Sequence, residues 1–597
     1  MSFTAPHKRD FAANDRLPRI ALLAAGIGVL STLAAFVLLN LIHLFTNLFF
    51  FQQISFADRS PATHMLGAWV IAVPVVGGLI VGLIARYGSD KIRGHGIPEA
   101  IEAILFGKSR MSPKVAILKP LSSGIVIGSG GPFGAEGPII MTGGALGSLI
   151  AQCVKVTAAE RKTLLVAGAA AGMTAVFGTP VAAVLLAVEL LLFEWRPRSF
   201  LPVALACAVA GFARMLFFGA GPLFPVTTAP PSALALGSCL IAGLLSGALA
   251  CGLSAALYKT EDWFGKLPVH WMWWPALGAI VVGIGGWIEP RALGVGYDVI
   301  GDLLHSHLAL QIALAILIVK ALIWVVALGS GTSGGVLAPL LMLGAGLGTL
   351  LGPVLPGGEP ALWPLVCMAA TLGATLGAPL TAIVFAFGLT HDANALLPLL
   401  AATLVAHGFA TVVMKRSIMT EKIARRGYHI YREYGIDPLE RHDVDEVMTR
   451  TVSTIDATLN VSDTRRRFFG AAQAHRAYPV VRDGTLLGML DRDTLERRSE
   501  TLSPHACIAD ALPDRAPAFA LPTETCRLVA TRLAVHGLER LPVVADAASR
   551  RLVGIVSRSD LVKPAHQHFD EEHKRERFRR VRLSRAKRRL ASAHESD

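Results

Sequence analysis

Charge is what this chain has least of. Asp, Glu, Lys and Arg make up 17% of its 597 residues, against about 25% in an ordinary soluble chain. The shortage is regional. Seventy residues from Ala321 to Thr390 contain one charged side chain, Glu359, and between Phe200 and Leu257 the only one is Arg214. Such stretches far exceed the ~20 apolar residues that cross a bilayer. They exclude a purely soluble protein and imply a polytopic membrane protein. Cysteine pairs are also missing. The seven cysteines are scattered without a CxxC, so neither a zinc site nor a redox motif is indicated. No HExxH motif occurs, and the one GxSxG string, Gly331–Gly335, falls inside a repeated glycine block rather than in a nucleophile elbow, which argues against an intramembrane enzyme and against a metal centre. Carboxylates do not cluster within the apolar part, which argues against a divalent-cation transporter. With 53% apolar residues, disorder and collagen are excluded.

Positive charge is concentrated at the ends. The net charge is +13, and Lys574 to Arg589 alone holds ten Lys or Arg. Lys8, Arg9, Arg16 and Arg19 precede the first apolar run, Ile20 to Phe51. Basic flanks stay inside, so both termini are expected in the cytoplasm. The first run is too long for a signal-peptide core and reads as a retained helix. Composition shifts near Lys415, after which charges become frequent. The basic tail reads as a solvated charge run, or as a contact with anionic inner-leaflet lipid. Nucleic acid is not expected as a partner of a tail tethered to a membrane domain.

The apolar part repeats itself. Gly128–Ser148, GSGGPFGAEGPIIMTGGALGS, aligns without a gap on Gly329–Thr349, GSGTSGGVLAPLLMLGAGLGT, with nine of twenty-one positions identical. Ala170–Leu190 aligns on Ala369–Leu389 with eight of twenty-one identical, and the offset changes only from 201 to 199. This is a duplicated half of a transporter-type fold. Halves with an odd number of crossings must be inverted, which puts both termini on one side and brings equivalent segments together near the bilayer midplane.

Both repeated blocks are glycine-rich and then become helical, with Pro138 and Pro339 where a helix begins. Gly94-His95-Gly96-Ile97-Pro98 has the same design. Three helix starts converging at mid-membrane offer free N–H groups and positive dipole ends, which make an anion site without a full charge. The same glycines also suit close helix packing. Glu136 favours the anion reading. It is the one acidic residue from Lys119 to Ala159 and lies in a helix start. A carboxylate there competes with an anion for the same N–H groups, so it reads as a gate, a proton carrier, or both.

At this point the residues resemble a family. Gly134-Ala135-Glu136-Gly137-Pro138 is similar to the GxEGP signature of the CLC chloride channels and proton-coupled chloride transporters. Gly94–Pro98 is similar to the family's GSGIP segment, and Gly335-Val336-Leu337-Ala338-Pro339 to its GxFxP segment. The resemblance implies an all-α, inverted-repeat membrane domain over 20–425, with halves of about 20–220 and 230–425. It also implies a homodimer in the lipid bilayer of the cell membrane. Chloride or another small anion would be held at His95, Gly96, Ile97, Ala135, Gly137, Val336, Leu337 and Met419 and gated by Glu136. Three positions depart from the pattern. His95 stands for the coordinating Ser, Leu337 for the Phe and Met419 for the coordinating Tyr. His95 still has an N–H to donate, whereas Met419 has none. In Val188-Glu189-Leu190 the exchangers' second glutamate, their internal proton acceptor, is matched by Leu190. The resemblance therefore leans to a passive chloride channel, with a chloride/proton antiporter as the alternative. Glu189 is expected to make a structural buried bond at a helix end.

Residues 443–500 and 504–563 form two similar units between the membrane part and a tail at 564–597. Each reads as strand, helix, two strands and helix, and Arg482-Asp483-Gly484 supplies the first hairpin turn. They resemble a pair of cystathionine-β-synthase (CBS) domains, an α/β cytoplasmic module. Such pairs bind adenine nucleotides through a GxxSxxD-like stretch. Gly554, Ser557 and Asp560 fit it, whereas the first unit has Gly488, Asp491 and Thr494 in its place. A nucleotide half-site at Ser557 and Asp560 is one expectation, and a purely dimerising pair is the other. No other cofactor is implied.

Overall fold

The computed structural model describes residues 16–428, 430, 439, 441–470, 473–513, 517–564 and 574. Most of the basic C-terminal tail, and Lys8 and Arg9 at the N-terminal end, therefore lie outside the described residues. The chain divides into two units, one carrying the apolar helices and one the C-terminal pair.

The first unit is helical. Its first half runs α1 (Leu17–Phe51), α2 (Ala72–Tyr87), α3 (Ile97–Leu105), α4 (Pro113–Gly128), α5 (Glu136–Cys153), α6 (Ala158–Phe177), α7 (Pro180–Leu186) and α8 (Pro197–Phe218). The second half runs α9 (Ala233–Gly265), α10 (Trp274–Ile288), α11 (Tyr297–Leu304), α12 (Leu310–Gly329), α13 (Leu337–Leu351), α14 (Leu362–Leu376), α15 (Pro379–Thr390) and α16 (Leu396–Val413). Element follows element in the same order, and α17 (Ile418–Arg425) closes the unit. Among the described residues, seven helices are long and apolar enough to span a membrane.

The core of each half is a helix buried all round. Thr163–Phe177 of α6 and all of α14 are buried, as expected for helices apolar on every face. Glycines let a neighbour approach them. A side chain on Gly143 or Gly147 of α5 would collide with the Gly168 or Leu164 carbonyl of α6. Gly344 and Gly348 of α13 meet the Cys367 and Trp363 carbonyls of α14 in the same way. Small residues four apart are the usual means of close contact between membrane helices, where apolar burial drives nothing. The offset of 201 in one helix and 199 in its neighbour is thus carried into the packing.

In the second unit a one-turn α18 (Val444–Val447) precedes β1 (Ile455–Asp456), α19 (Val461–Phe468), β2 (Ala477–Arg482), β3 (Thr485–Asp491) and α20 (Arg492–Ser499). β1 lies parallel to β2, and β2 antiparallel to β3. The predicted turn is present, with Asp483 and Gly484 at φ 51° and 77°, the left-handed pair that a two-residue hairpin requires. The second repeat is leaner. It has α21 (Cys526–Val535) and an antiparallel pair, β4 (Arg540–Val544) and β5 (Leu552–Ser557). Its expected first strand is a single bridge from Ala520 to Val543, and its closing helix a short turn, Asp560–Val562.

Candidate functional site

The site is built where the two halves meet. Gly134 and Gly335 hold the same place in the two blocks, and each bonds the other. The Gly335 N–H donates to the Gly134 carbonyl at 3.0 Å and the Gly134 N–H to the Gly335 carbonyl at 3.4 Å. The bridge is antiparallel. A reciprocal antiparallel bond between equivalent residues has a local two-fold axis, so the halves run in opposite senses there. Two residues on, Glu136 is fully buried and Oε1 accepts the Leu337 N–H at 2.5 Å. Leu337 is the repeat counterpart of Glu136. The carboxylate of one half therefore sits on the N-terminus of α13 in the other, where the dipole and open amides favour a negative charge. Glu136 Oε2 makes no hydrogen bond.

The start of α3 joins these two. A side chain on Gly137 would strike the His95 carbonyl, and one on Gly335 would strike the Glu136 carboxylate. These glycines serve the site as well as the packing. The N-termini of α3, α5 and α13 thus converge, with Ala135 and Val336 as the caps of α5 and α13. Gly96, at φ 92°, caps α3 and gives its N–H to Glu99 Oε2 at 2.9 Å. That bond takes Gly96 out of the set of amides open to an anion and leaves Ile97 as the first residue of α3. His95 is buried and its Nδ1 makes no hydrogen bond. Glu99 Oε1 accepts from Lys422 Nζ of α17 at 2.7 Å. Met419 is fully buried one turn before Lys422. A cavity of about 560 Å³ lined by His95, Glu99, Met141, Tyr258, Lys422 and Arg426 reaches this point.

Two groups that hold the site together went unrecognised in the sequence. Lys119 of α4 is fully buried and donates to the Ile92 and Gly94 carbonyls at 2.7 and 2.8 Å. Lys320 of α12 is fully buried and donates to the Ala292 and Gly294 carbonyls at 2.9 and 2.8 Å. Each lysine pins the loop that enters a short helix, α3 or α11. Their separation equals the offset of the first repeat block, a signal available in the sequence.

The position next to Leu190 is equally defined. Glu189 Oε2 accepts from the Thr381 N–H at 2.8 Å and the Thr381 hydroxyl at 2.6 Å. It caps α15 as expected, but as a half-buried rather than a buried group. Leu190 is fully buried. Both lie in a π-helical turn, Ala187–Leu192, that continues α7. In the second unit Ser557 and Asp560 come together. Asp560 Oδ2 accepts from the Ser557 N–H at 2.8 Å and its hydroxyl at 2.7 Å, while Oδ1 pairs with Lys563 at 2.6 Å. Burial alone would raise the Asp560 carboxyl, but Lys563 and Ser557 hold it below its ordinary range.

Comparison with known proteins bears directly on this arrangement. Residues 77–411, more than half of the chain, match the family model described as voltage gated chloride channel. The chain belongs to the CLC family. Residues 444–499 and 508–566 match the CBS domain. Among relatives of this CLC protein is a putative chloride channel protein, ClcB-like, of Ralstonia nicotianae. It is 30% identical over 370 residues, 60% of this chain and 85% of the relative. The H(+)/Cl(-) exchange transporter ClcA of Salmonella arizonae is 27% identical over 451 residues, 70% and 92% of the two chains. The solved structure of a slow cyanobacterial Cl-/H+ antiporter superposes with a TM-score of 0.61 at 23% identity, covering 68% of this chain and 98% of that one. A eukaryotic CLC transporter superposes at 0.60 and 19% identity, covering 91% and 98%. These structures establish the fold. The chain is a multi-pass CLC anion transporter with a C-terminal CBS pair, and not an enzyme.

Proposed function

We propose that this CLC protein exchanges chloride for protons, with Glu136 as the group both share. The observation that carries the reading is the Glu136 carboxylate on the Leu337 N–H at the end of α13. An ionised carboxylate and a chloride ion compete for that dipole end, whereas a protonated carboxyl gives it up. Binding of a proton and of an anion are thereby alternatives at one seat, which is the elementary requirement of exchange. The relatives named as H(+)/Cl(-) exchange transporters support it. In this reading Ile97, Ala135, Gly137, Val336 and Leu337 present the backbone of the anion path, His95 stands on its cavity side, and Met419 is buried on α17 one turn before Lys422.

A second reading, passive conduction, rests on Leu190. That buried hydrocarbon stands where a proton relay would be needed, since a bare charge deep in the bilayer is costly. Exchange then requires protons to pass His95, the imidazole beside the cavity. A chloride gradient imposed on proteoliposomes at equal pH decides between the two. Uphill proton movement at a fixed ratio establishes exchange, and its loss in His95→Ser identifies the relay. Chloride flux without proton movement establishes a channel. Both termini are placed in the cytoplasm of the cell membrane by their basic residues, and the protein is a homodimer in this reading. Adenine nucleotide regulates it through Asp560 of the second CBS repeat, where the nucleotide displaces Lys563. Calorimetry with Asp560→Ala tests that assignment, and undiminished binding sinks it.

A further inference from the structure

Tyr297 is the first residue of α11, and nothing in the anion path described above uses it. Its hydroxyl oxygen is buried and makes no hydrogen bond. The Glu136 carboxylate lies within electrostatic range of that hydroxyl, and its Oε2 is likewise buried without a partner. A phenol set among apolar groups ordinarily finds an acceptor. Here Phe177 stands edge-on to the ring and Phe224 nearly so, both with centroids at 6.2 Å. The aromatic neighbours offer the hydroxyl no acceptor, and the Glu136 carboxylate has an oxygen to spare.

The tyrosine is also firmly placed. It follows Gly296, at φ 75°, at the end of the loop that Lys320 pins through the Ala292 and Gly294 carbonyls. Its counterpart in the first half is Ile97, which has no hydroxyl. The donor therefore exists on one side of the pseudo-two-fold only. Titratable groups on the elements that form the site are His95 before α3, Glu99 on α3, Lys119 on α4, Asp298 on α11, Lys320 on α12 and Lys422 on α17. Lys119 and Lys320 are committed to carbonyls, Glu99 pairs with Lys422, and Asp298 is exposed. Helices α5 and α13 bring no Asp, Glu, Lys, Arg or His other than Glu136 itself.

We propose that Tyr297 is the second seat of the gate: its hydroxyl donates to the Glu136 carboxylate once that group leaves the Leu337 N–H, and so holds the ionised gate off the anion seat. Tyr297 is in this sense a positioning residue, and the inference rests on Glu136 being the gate. Without the hydroxyl, the ionised carboxylate returns to α13, and only protonation clears the path.

Chloride efflux from proteoliposomes holding the full chain tests this with Tyr297→Phe, which keeps the ring and its packing. The ratio of fluxes at acid and alkaline pH within one preparation is independent of how much protein folds. Loss of a hydrogen bond to a charged group is expected to lower flux at about pH 8 roughly tenfold, with flux at about pH 4.5 within about twofold of the parent. In a Glu136→Gln background the same substitution is expected to change neither flux. A Tyr297→Phe protein with the parental pH profile overturns the proposal. So does an equal loss at both pH values that persists with Glu136→Gln, which would place Tyr297 in the anion path. Failure of the underlying gate shows separately, as Glu136→Gln alone keeping parental acid activation.

Discussion

Replacing Glu136 by Gln removes a charge and little else, so its effect follows from the geometry. The ionised carboxylate holds the Leu337 N–H at 2.5 Å at the mouth of α13. A hydrogen bond to a charged acceptor contributes about 1.5–3 kcal/mol and one to a neutral acceptor about 0.5–1.5. Interaction of the charge with the helix end adds roughly 0.3–1 kcal/mol. Gln retains the neutral bond and loses the rest, about 1.5–2.5 kcal/mol. The closed arrangement then becomes about 10- to 70-fold less favoured against the open one. Chloride efflux from proteoliposomes at about pH 7.5 is expected to rise accordingly, and its acid activation to vanish, because no proton is left to bind. Chloride-driven proton movement is expected to stop for the same reason. Steep acid activation in Glu136→Gln refutes the reasoning. It would mean that the carboxylate on α13 is a helix cap and that another group gates the path.

Three further outcomes are expected. Lys119→Met and Lys320→Met each leave two buried carbonyls without a donor, at about 1–3 kcal/mol apiece, so both should lower the thermal midpoint in detergent by similar amounts. An effect confined to one of them contradicts their equivalence. Gly147→Val pushes into the Leu164 carbonyl and should cost about 1–3 kcal/mol or more, whereas Gly26→Val, with nothing within 4 Å of the new carbon, should leave size-exclusion behaviour intact. Asp560→Asn should weaken the second CBS repeat above about pH 4–5 and narrow the gap to the parent on acidification. The folded carboxyl is held below the ordinary ~3.9, so its contribution is full above that value and lost as pH falls through the lower one. A gap that stays constant with pH rules out the Lys563 and Ser557 contacts as its source.

Local chemistry made much of this legible in one dimension. A single charge in seventy residues admits only membrane-spanning helices, because bare backbone polar groups have no partner in lipid. Two gapless blocks of identity exposed the duplication, and a lone carboxylate in a glycine-rich helix start marked the group proposed as the gate. Period and turn chemistry marked the C-terminal units, down to the left-handed Asp483-Gly484 pair. What the sequence could not contain was which end of which helix each group would meet. Glu136 lies on the amide of its own repeat counterpart, 201 residues away, because inversion folds the two halves about an axis between Gly134 and Gly335. Glu189 is spent on α15 through bonds that no spacing rule indicates, whereas the Gly96–Glu99 bond follows the three-residue spacing of a helix cap. Lys119 and Lys320 stood in the sequence as ordinary charges, and Tyr297 as an ordinary aromatic. Only the approach of distant carbonyls and of a distant carboxylate gave them a task, since the energy of a buried polar group is set by the partners that tertiary structure brings to it.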